Sequence, residues 1–243
     1  VHKEAMIRNY SFLSQLNEVK KDQTGTGLLI ENDGHIIPPK DTISQIKEDI
    51  DSGHKFVMPD DFIVSAVFQK YGIKNANGRI YPENVLKTQV EKYIQERVAT
   101  GCAIGALDHP QASSLSGHDV AMNILNLEWQ GRTLVGEMKL HLSPGYKRYG
   151  ICSTSGDLVA NMLLDNILIG VSSRGVGSVK NQGGVLIVDD DYDIICWDVV
   201  MEPSTNQAFI KLNRADLQPF IESKTHENTP INEKISRLEK ILF

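Results

Sequence analysis

The chain has 243 residues, of which 41% are apolar and 23% charged, a composition typical of a folded globular protein rather than a disordered one. The formal net charge of −6 argues against nucleic acid as the main partner, because phosphate binding favours a basic surface. No apolar run is long enough to span a bilayer, and residues 1–5 lack the apolar core of a signal peptide, so we expect neither a membrane anchor nor a secretory signal.

The first 58 residues are polar and rich in turns, which predicts an N-terminal arm. Within the arm, residues 24–31 are predicted as a strand, and residues 41–50 as a short helix because isoleucines recur there at helical spacing. At the other end, residues 216–243 are predicted as a polar linker and an amphipathic tail. The compact core is then expected at residues 59–215.

The core contains more predicted strands than helices. Two helices are predicted, beginning near Pro82 and near Ser155. Strands are predicted at 62–68, 102–107, 120–129, 133–140, 167–173, 185–188 and 194–201, the third and fourth joined as a hairpin. This order predicts an α+β fold, with a mainly antiparallel sheet or barrel flanked by helices.

The cysteines Cys102, Cys152 and Cys196 have the spacing of neither a disulfide framework nor a zinc site. A reducing compartment is therefore expected. Each cysteine is interpreted as a small hydrophobic residue, and a catalytic thiol paired with a histidine is the alternative.

A glycine-rich segment, GVSSRGVGS at 170–178, follows an apolar run. A serine at the end of a buried strand, beside free backbone N–H groups, suits a nucleophile with an oxyanion hole, and Ser172 is the candidate. The segment lacks the lysine of a phosphate-binding loop, and Arg174 stands where GxSxG requires glycine. The alternative is a glycine-rich hairpin without catalytic function, which composition alone favours.

A histidine, His109, follows the strand predicted at 102–107, and Pro110 restricts its backbone. Histidine is the usual general base because its pKa lies near neutral pH. Two alternatives stay open. His109 is either an ordinary loop histidine or part of a metal site with Asp108 and His118, although this spacing matches no recognised ligand pattern.

A carboxylate, Asp198, interrupts the apolar strand predicted at 194–201. Burial of a carboxylate is costly unless it is paired, and a histidine partner would make it useful, since the acid fixes the imidazole tautomer. The alternative is that Asp198 faces solvent from a one-sided strand. His109, Ser172 and Asp198 form a candidate catalytic set whose members are far apart in sequence.

These segments resemble the prohead core proteases of T-even-type phages. GVSSRGVGS at 170–178 resembles their active-serine segment, and GALDHP at 105–110 resembles their active-histidine segment. NANGRIYPENVL at 75–86 resembles an upstream loop and helix start, and DVVMEPS at 198–204 resembles the segment that closes the core. The segments occur in the family's order, over roughly residues 62–209.

The resemblance implies the fold of the herpesvirus assemblins, a β-barrel surrounded by helices. It implies Ser172 as the nucleophile and His109 as the base. Assemblins have a second histidine as the third catalytic residue, and the matching position here is Asp198, which would make a Ser-His-Asp set.

Further roles follow from this assignment. Backbone N–H groups from Ser173 to Gly175 are expected to bind the oxyanion, with Arg174 near the same site. Ser173 is the alternative nucleophile, because adjacent side chains of a strand point to opposite faces and only one serine can face the histidine.

The implied function is that of a serine endopeptidase that cleaves scaffold and major capsid proteins, and itself, inside the phage procapsid in the host cytoplasm. Cleavage is expected after Glu in Leu/Ile-x-Glu. This triplet occurs at 29–31, 46–48 and 231–233 among other positions, and the flanks that hold these three are predicted to be autocleavage or anchoring segments. No cofactor, metal, membrane or specific nucleic acid is implied, and a homo-oligomer is compatible. The alternative is a catalytically inactive capsid or scaffold component of the same fold.

Overall fold

The computed structural model describes residues 16–53, 58–108 and 116–201. All the described residues belong to one compact unit. The predicted base His109 and the predicted tail at 216–243 lie outside the described residues.

The described residues form nine strands, four α-helices and a π-helical turn. The strands are β1 (Gly25–Ile37), β2 (Ile63–Lys70), β3 (Arg79–Ile80), β4 (Ile104–Ala106), β5 (Val120–Gln130), β6 (Thr133–Leu140), β7 (Gly170–Gln182), β8 (Val185–Val188) and β9 (Asp193–Val200). The helices are α1 (Lys40–Asp51), α2 (Glu83–Tyr93) continued by the π-helical turn Ile94–Val98, α3 (Pro144–Tyr149) and α4 (Ser155–Leu164). None of the described helices is long and apolar enough to cross a membrane.

All the described strands belong to one sheet, with the order β3-β8-β7-β1-β2-β6-β5-β4, and β9 pairs with β7. Every ladder is antiparallel except the short one between β3 and β8. The α+β class with a mainly antiparallel sheet is therefore confirmed. The predicted hairpin is confirmed as β5 and β6, and the predicted helices as α1, α2 and α4.

The predicted barrel is wrong, because the sheet is open. β4 has only three residues, and the chain beyond it meets β9 through one isolated bridge between Leu107 and Val199. The Asp108 N–H adds one hydrogen bond to the Val199 carbonyl at 2.7 Å. Asp108 then has a φ of 61°, which takes the backbone out of the extended conformation before a ladder can form.

Residues 25–51, predicted as part of an arm, form β1 and α1. β1 lies inside the sheet, between β7 and β2, and it buries Leu29 and Ile36. α1 buries Ile43 and Ile46 against the same core. The polar residues that suggested an arm flank these apolar positions, so the boundary predicted at residue 58 does not separate β1 and α1 from the core.

The glycine-rich segment is part of a strand rather than a loop. β7 extends to Gln182, well past residue 173, where the strand was predicted to end. A Cβ atom at Gly175 or Gly177 would overlap Tyr192, which packs directly on β7. Glycine at these positions lets Tyr192 approach the backbone, so the composition that suggested a turn reflects close packing.

A buried carboxylate, Asp157, holds the corner between α3 and α4. It accepts hydrogen bonds from the backbone N–H groups of Ser143 (2.8 Å), Ser153 (2.8 Å) and Thr154 (3.0 Å), and from Ser143 Oγ (2.8 Å). Thr154, one residue before the predicted cap Ser155, completes a capping box with Asp157. Burial raises the pKa of Asp157, but these hydrogen bonds outweigh it and hold the pKa below its ordinary value.

We expect Asp157→Asn to lower the free energy of unfolding by about 1–3 kcal/mol at neutral pH, because the amide cannot accept all these hydrogen bonds. Because the pKa of Asp157 is lower in the folded state, the carboxylate stabilises the fold at pH values above its unfolded-state pKa of about 4. This stabilisation is lost as the pH falls through the folded-state pKa. The stability difference between wild type and variant should therefore narrow at acid pH. Urea unfolding at pH 7 and pH 3 measures it.

The matched control is Asp165→Asn, which changes an exposed acid at the other end of α4. This variant should have nearly the stability of the wild type at both pH values. An Asp157→Asn difference that does not depend on pH would contradict the assigned role of the carboxylate.

Candidate active site

Ser172 lies on β7, near the centre of the sheet. β1 pairs with β7 through Glu31 and Ser173 on one side of this position and through Gly34 and Val171 on the other. Residues 32–33 of β1 therefore oppose the single residue Ser172 in a β-bulge, a feature that often occurs beside active sites. Ser172 is fully buried, and its Oγ has no hydrogen-bond partner among the described residues.

The partner of Ser172 across β9 is Asp198. Residues directly opposite each other in an antiparallel pair project from the same face of the sheet, so Ser172 and Asp198 share a face. Asp198 is also fully buried, which excludes the alternative that it faces solvent. The structure thus brings together two of the three predicted catalytic residues.

The Asp198 carboxylate is held by neighbours on two strands. Arg174, two residues after Ser172 on the same face, approaches it with Nε to Oδ2 at 2.5 Å and Nη2 to Oδ1 at 3.3 Å. The backbone N–H of Ala106 donates to Oδ1 at 3.0 Å. Arg174 and Asp198 are both almost completely buried, so this is a desolvated ion pair with hydrogen bonds that fix its orientation.

The third predicted catalytic residue, His109, lies outside the described residues. The residue before it, Asp108, is hydrogen-bonded to the carbonyl of Val199, the neighbour of Asp198 on β9. Val199 pairs in turn with Val171, the residue before Ser172. The described segment before His109 therefore ends at Asp108, which lies beside β9. β9 carries Asp198 and pairs with β7, the strand of Ser172.

Ser173 belongs to the opposite face of the sheet. Its partners across the two neighbouring strands are Glu31 on β1 and Trp197 on β9. Ser172 and Ser173 thus have different surroundings, as the alternation of a strand requires. Ser172 shares a face with the buried Asp198, whereas Ser173 shares a face with Glu31.

Glu31 is the centre of a buried polar network on the Ser173 face. Its Oε1 accepts hydrogen bonds from Arg79 Nη1 at 2.6 Å and from the Tyr81 hydroxyl at 2.7 Å. Its Oε2 accepts hydrogen bonds from the side-chain amides of Asn75 and Asn77, both at 2.7 Å. Burial and then the Glu31 charge raise the pKa of Tyr81 well above its ordinary value, so Tyr81 remains a donor.

This network was missed by the sequence analysis. The segment at 75–81 supplies all the described side chains that bind Glu31, and Arg79 also donates to the backbone carbonyls of Val19 and Lys20. The available signal was a lone acid after the apolar residues 28–30 in a predicted strand. Glu31 in this position indicated a buried carboxylate as clearly as Asp198 did. Its cationic partner, Arg79, could not be identified from the sequence because it is 48 residues away.

The residues proposed to bind an oxyanion lie within the ladder. Ser173, Arg174 and Gly175 each pair with β1, and all three also pair with β9, with a register shift between Arg174 and Gly175. The Arg174 guanidinium is directed at Asp198 through Nε and Nη2. The oxyanion role of this segment stays a prediction.

The cysteines offer little support for a thiol nucleophile. Cys196 is buried beside Arg174 and Asp198, and burial, followed by the Asp198 charge, raises the pKa of its thiol far above the ordinary value. A protonated thiol is a poor nucleophile. Within the described residues, no group of three or more His, Cys, Asp or Glu side chains could hold a metal ion, and His109 of the alternative metal set lies outside them.

The family model described as prohead core protein serine protease matches residues 22–217. The chain belongs to this family. The matched region includes β1 and α1, in agreement with their place in the core, and it contains both Ser172 and Asp198.

A sequence comparison and a structure comparison both find similarity to a protease of phage T4. The prohead core protein protease of Enterobacteria phage T4 is 29% identical over 149 residues, which cover 60% of this chain and 66% of the relative, slightly less than two thirds of its length. The solved structure of the bacteriophage T4 capsid assembly protease has a TM-score of 0.57 and 25% identity, covering 73% of this chain and 99% of the other. The large mixed sheet is therefore the fold of a known phage protease.

We expect Glu31→Gln to lower the free energy of unfolding by about 3–5 kcal/mol, because it leaves the Arg79 guanidinium buried without its counter-ion. Glu91→Gln, an exposed change on α2, is the control and should be nearly neutral. Thermal and urea unfolding of both variants measure the effect. A Glu31→Gln variant as stable as Glu91→Gln would contradict the importance of the pair.

Proposed function

We propose that this member of the prohead core protease family is a serine endopeptidase with Ser172 as nucleophile, His109 as general base and Asp198 as the acid that orients it. The observation that carries the proposal is the direct pairing of Ser172 with the buried Asp198 across β7 and β9. The position of Asp108, hydrogen-bonded beside Asp198 on β9, supports His109 as the third member.

The proposed reaction follows acyl transfer to serine. His109 takes the proton of Ser172 Oγ as the oxygen attacks the scissile carbonyl carbon, and Asp198 stabilises the resulting imidazolium. The C–N bond then breaks, and His109 returns the proton to the leaving amine. Water, deprotonated by His109, cleaves the acyl-enzyme ester and restores the serine.

The proposed substrates are scaffold and capsid proteins inside the phage prohead, in the cytoplasm of the host. The family and the T4 capsid assembly protease support a role in capsid maturation. Cleavage after Glu in Leu/Ile-x-Glu is the proposed specificity. An inactive structural component of the capsid is the competing function, and the paired Ser172 and Asp198 argue against it because such a component needs neither.

The chain has five Leu/Ile-x-Glu triplets, at 16–18, 29–31, 46–48, 94–96 and 231–233. Self-cleavage is proposed at one of the three that were predicted as cleavage segments, 29–31, 46–48 and 231–233. The triplet at 29–31 lies inside β1, where Leu29 and Glu31 are buried, and the triplet at 46–48 lies inside α1. Peptide bonds in such elements become protease substrates only after local unfolding. The triplet at 231–233, outside the described residues, is the proposed site.

We expect Ser172→Ala to abolish cleavage of a Leu-x-Glu peptide, a loss on the order of a million-fold, whereas Ser173→Ala should keep most of the activity. A fluorophosphonate probe should label Ser172 in the wild type and in Ser173→Ala, but not in Ser172→Ala. Peptide mass spectrometry identifies both the labelled serine and the cleaved bond.

The outcomes separate the candidate functions. Cleavage unchanged in Ser172→Ala and lost in Ser173→Ala would move the nucleophile to the Glu31 face. Cleavage that a chelator abolishes would favour the metal-dependent alternative with Asp108, His109 and His118. A folded wild type with neither cleavage nor labelling would support the structural component.

We expect prolonged incubation of the wild type to release residues 234–243, because Glu233 ends the proposed triplet. Intact-mass spectrometry should show this product in the wild type and in Glu227→Gln, whose acid is not preceded by a Leu/Ile-x pair. Glu233→Gln should keep these residues. A cut after Glu31 or Glu48 before any cut after Glu233 would sink the assignment.

A further inference from the structure

We propose that Arg174 is a positioning residue, which holds the Asp198 carboxylate in the orientation that the proposed catalytic histidine requires. The inference rests on the proposed function and assigns Arg174 a role other than oxyanion binding. It is carried by the buried, two-point contact between the guanidinium and the carboxylate.

The geometry gives the guanidinium control over the carboxylate. Arg174 and Ser172 are two residues apart on β7, so one strand carries both the nucleophile and the cation that binds its partner acid. A fork that contacts both carboxylate oxygens restricts rotation of the carboxylate plane, which a single donor does not. The N–H of Ala106 adds a third donor to Oδ1, so this orientation is defined from two strands.

The charge of Arg174 matters as much as its shape. A buried carboxylate without a counter-ion takes up a proton, and a neutral acid cannot stabilise an imidazolium. Arginine is suited to the task because it stays protonated. Burial opposes its charge, but Cys196 and Asp198 more than compensate, so the pKa of Arg174 is raised rather than lowered.

The second buried ion pair among the described residues provides a comparison. Glu31 and Arg79 are equally desolvated and also hydrogen-bonded, but they lie on the Ser173 face. Loss of either cation leaves a buried carboxylate unpaired, so both losses should destabilise the fold. Only the loss of Arg174 should also change the chemistry at Ser172.

The test is a double-mutant cycle on peptide cleavage, with rates expressed per folded molecule. Arg174→Met should lower kcat about a hundred-fold with little change in KM, a loss typical of a misplaced catalytic group. Asp198→Asn should lower kcat about ten-thousand-fold. If Arg174 acts through Asp198, the double variant should match Asp198→Asn within about threefold, because residues that act as a unit are not additive.

Two further variants separate positioning from folding. Arg79→Met breaks the other buried pair and should keep a kcat near that of the wild type in the folded fraction. Arg174→Lys keeps the charge but not the fork, so kcat should fall only about tenfold below that of the wild type. Where Arg174→Met does not fold, Arg174→Lys and the double variant, which has no unpaired charge, decide the question.

Several results would overturn the inference. They are an unchanged kcat in Arg174→Met or in Arg174→Lys, an equal loss in Arg79→Met, or losses that multiply in the double variant. Ser172→Ala is assayed in parallel. If Ser172→Ala still cleaves the peptide, the proposed function and the inference are both overturned. If Ser172→Ala does not cleave the peptide but Arg174→Met has the kcat of the wild type, the inference alone is overturned.

Discussion

The sheet is organised by a constraint around β7, because a buried carboxylate–arginine pair lies on each face of the sheet there, one between β7 and β9 and the other between β1 and β3. Asp198 and Arg174 lie on the Ser172 face, and Glu31 and Arg79 lie on the Ser173 face. An unpaired charge at either position would cost several kcal/mol, so β1, β7 and β9 must align with the register that satisfies both pairs. A slip by one residue would exchange the faces and separate each acid from its cation.

This constraint gives adjacent serines different chemical environments. Strand alternation directs Ser172 toward Asp198 and Ser173 toward Glu31. The bulge in β1 falls opposite Ser172, where the ladder is interrupted, whereas Ser173 stays in register. The proposed nucleophile therefore occupies the interrupted position, whereas its neighbour shares a face with the Glu31 network that holds the segment at 75–81 to the sheet.

Local sequence patterns predicted most of the helices and strands, because the apolar spacing, caps and turns that define each of them lie within a few residues of one another. The hairpin of β5 and β6 and the helix α4 are examples. The sequence could not show that β1 lies inside the sheet or that Gly175 and Gly177 make room for Tyr192, since both depend on contacts with residues far along the chain. The order of strands left a sheet or a barrel open and the resemblance favoured the barrel, which failed where Asp108 leaves the extended conformation.

The candidate site follows the same division. Ser172 and Asp198 were predictable as unusual residues in apolar strands, but their cation was not, because Arg174 in a glycine-rich segment resembles a loop residue. Once β7 and β9 pair, Arg174 can form an ion pair with Asp198 because both side chains lie on the Ser172 face of the sheet. Stability and the proposed chemistry are then coupled at Asp198, because the cation that makes burial of the acid possible also fixes the orientation of its carboxylate. Substitutions that preserve the fold by removing both charges would remove the acid of the proposed catalytic set.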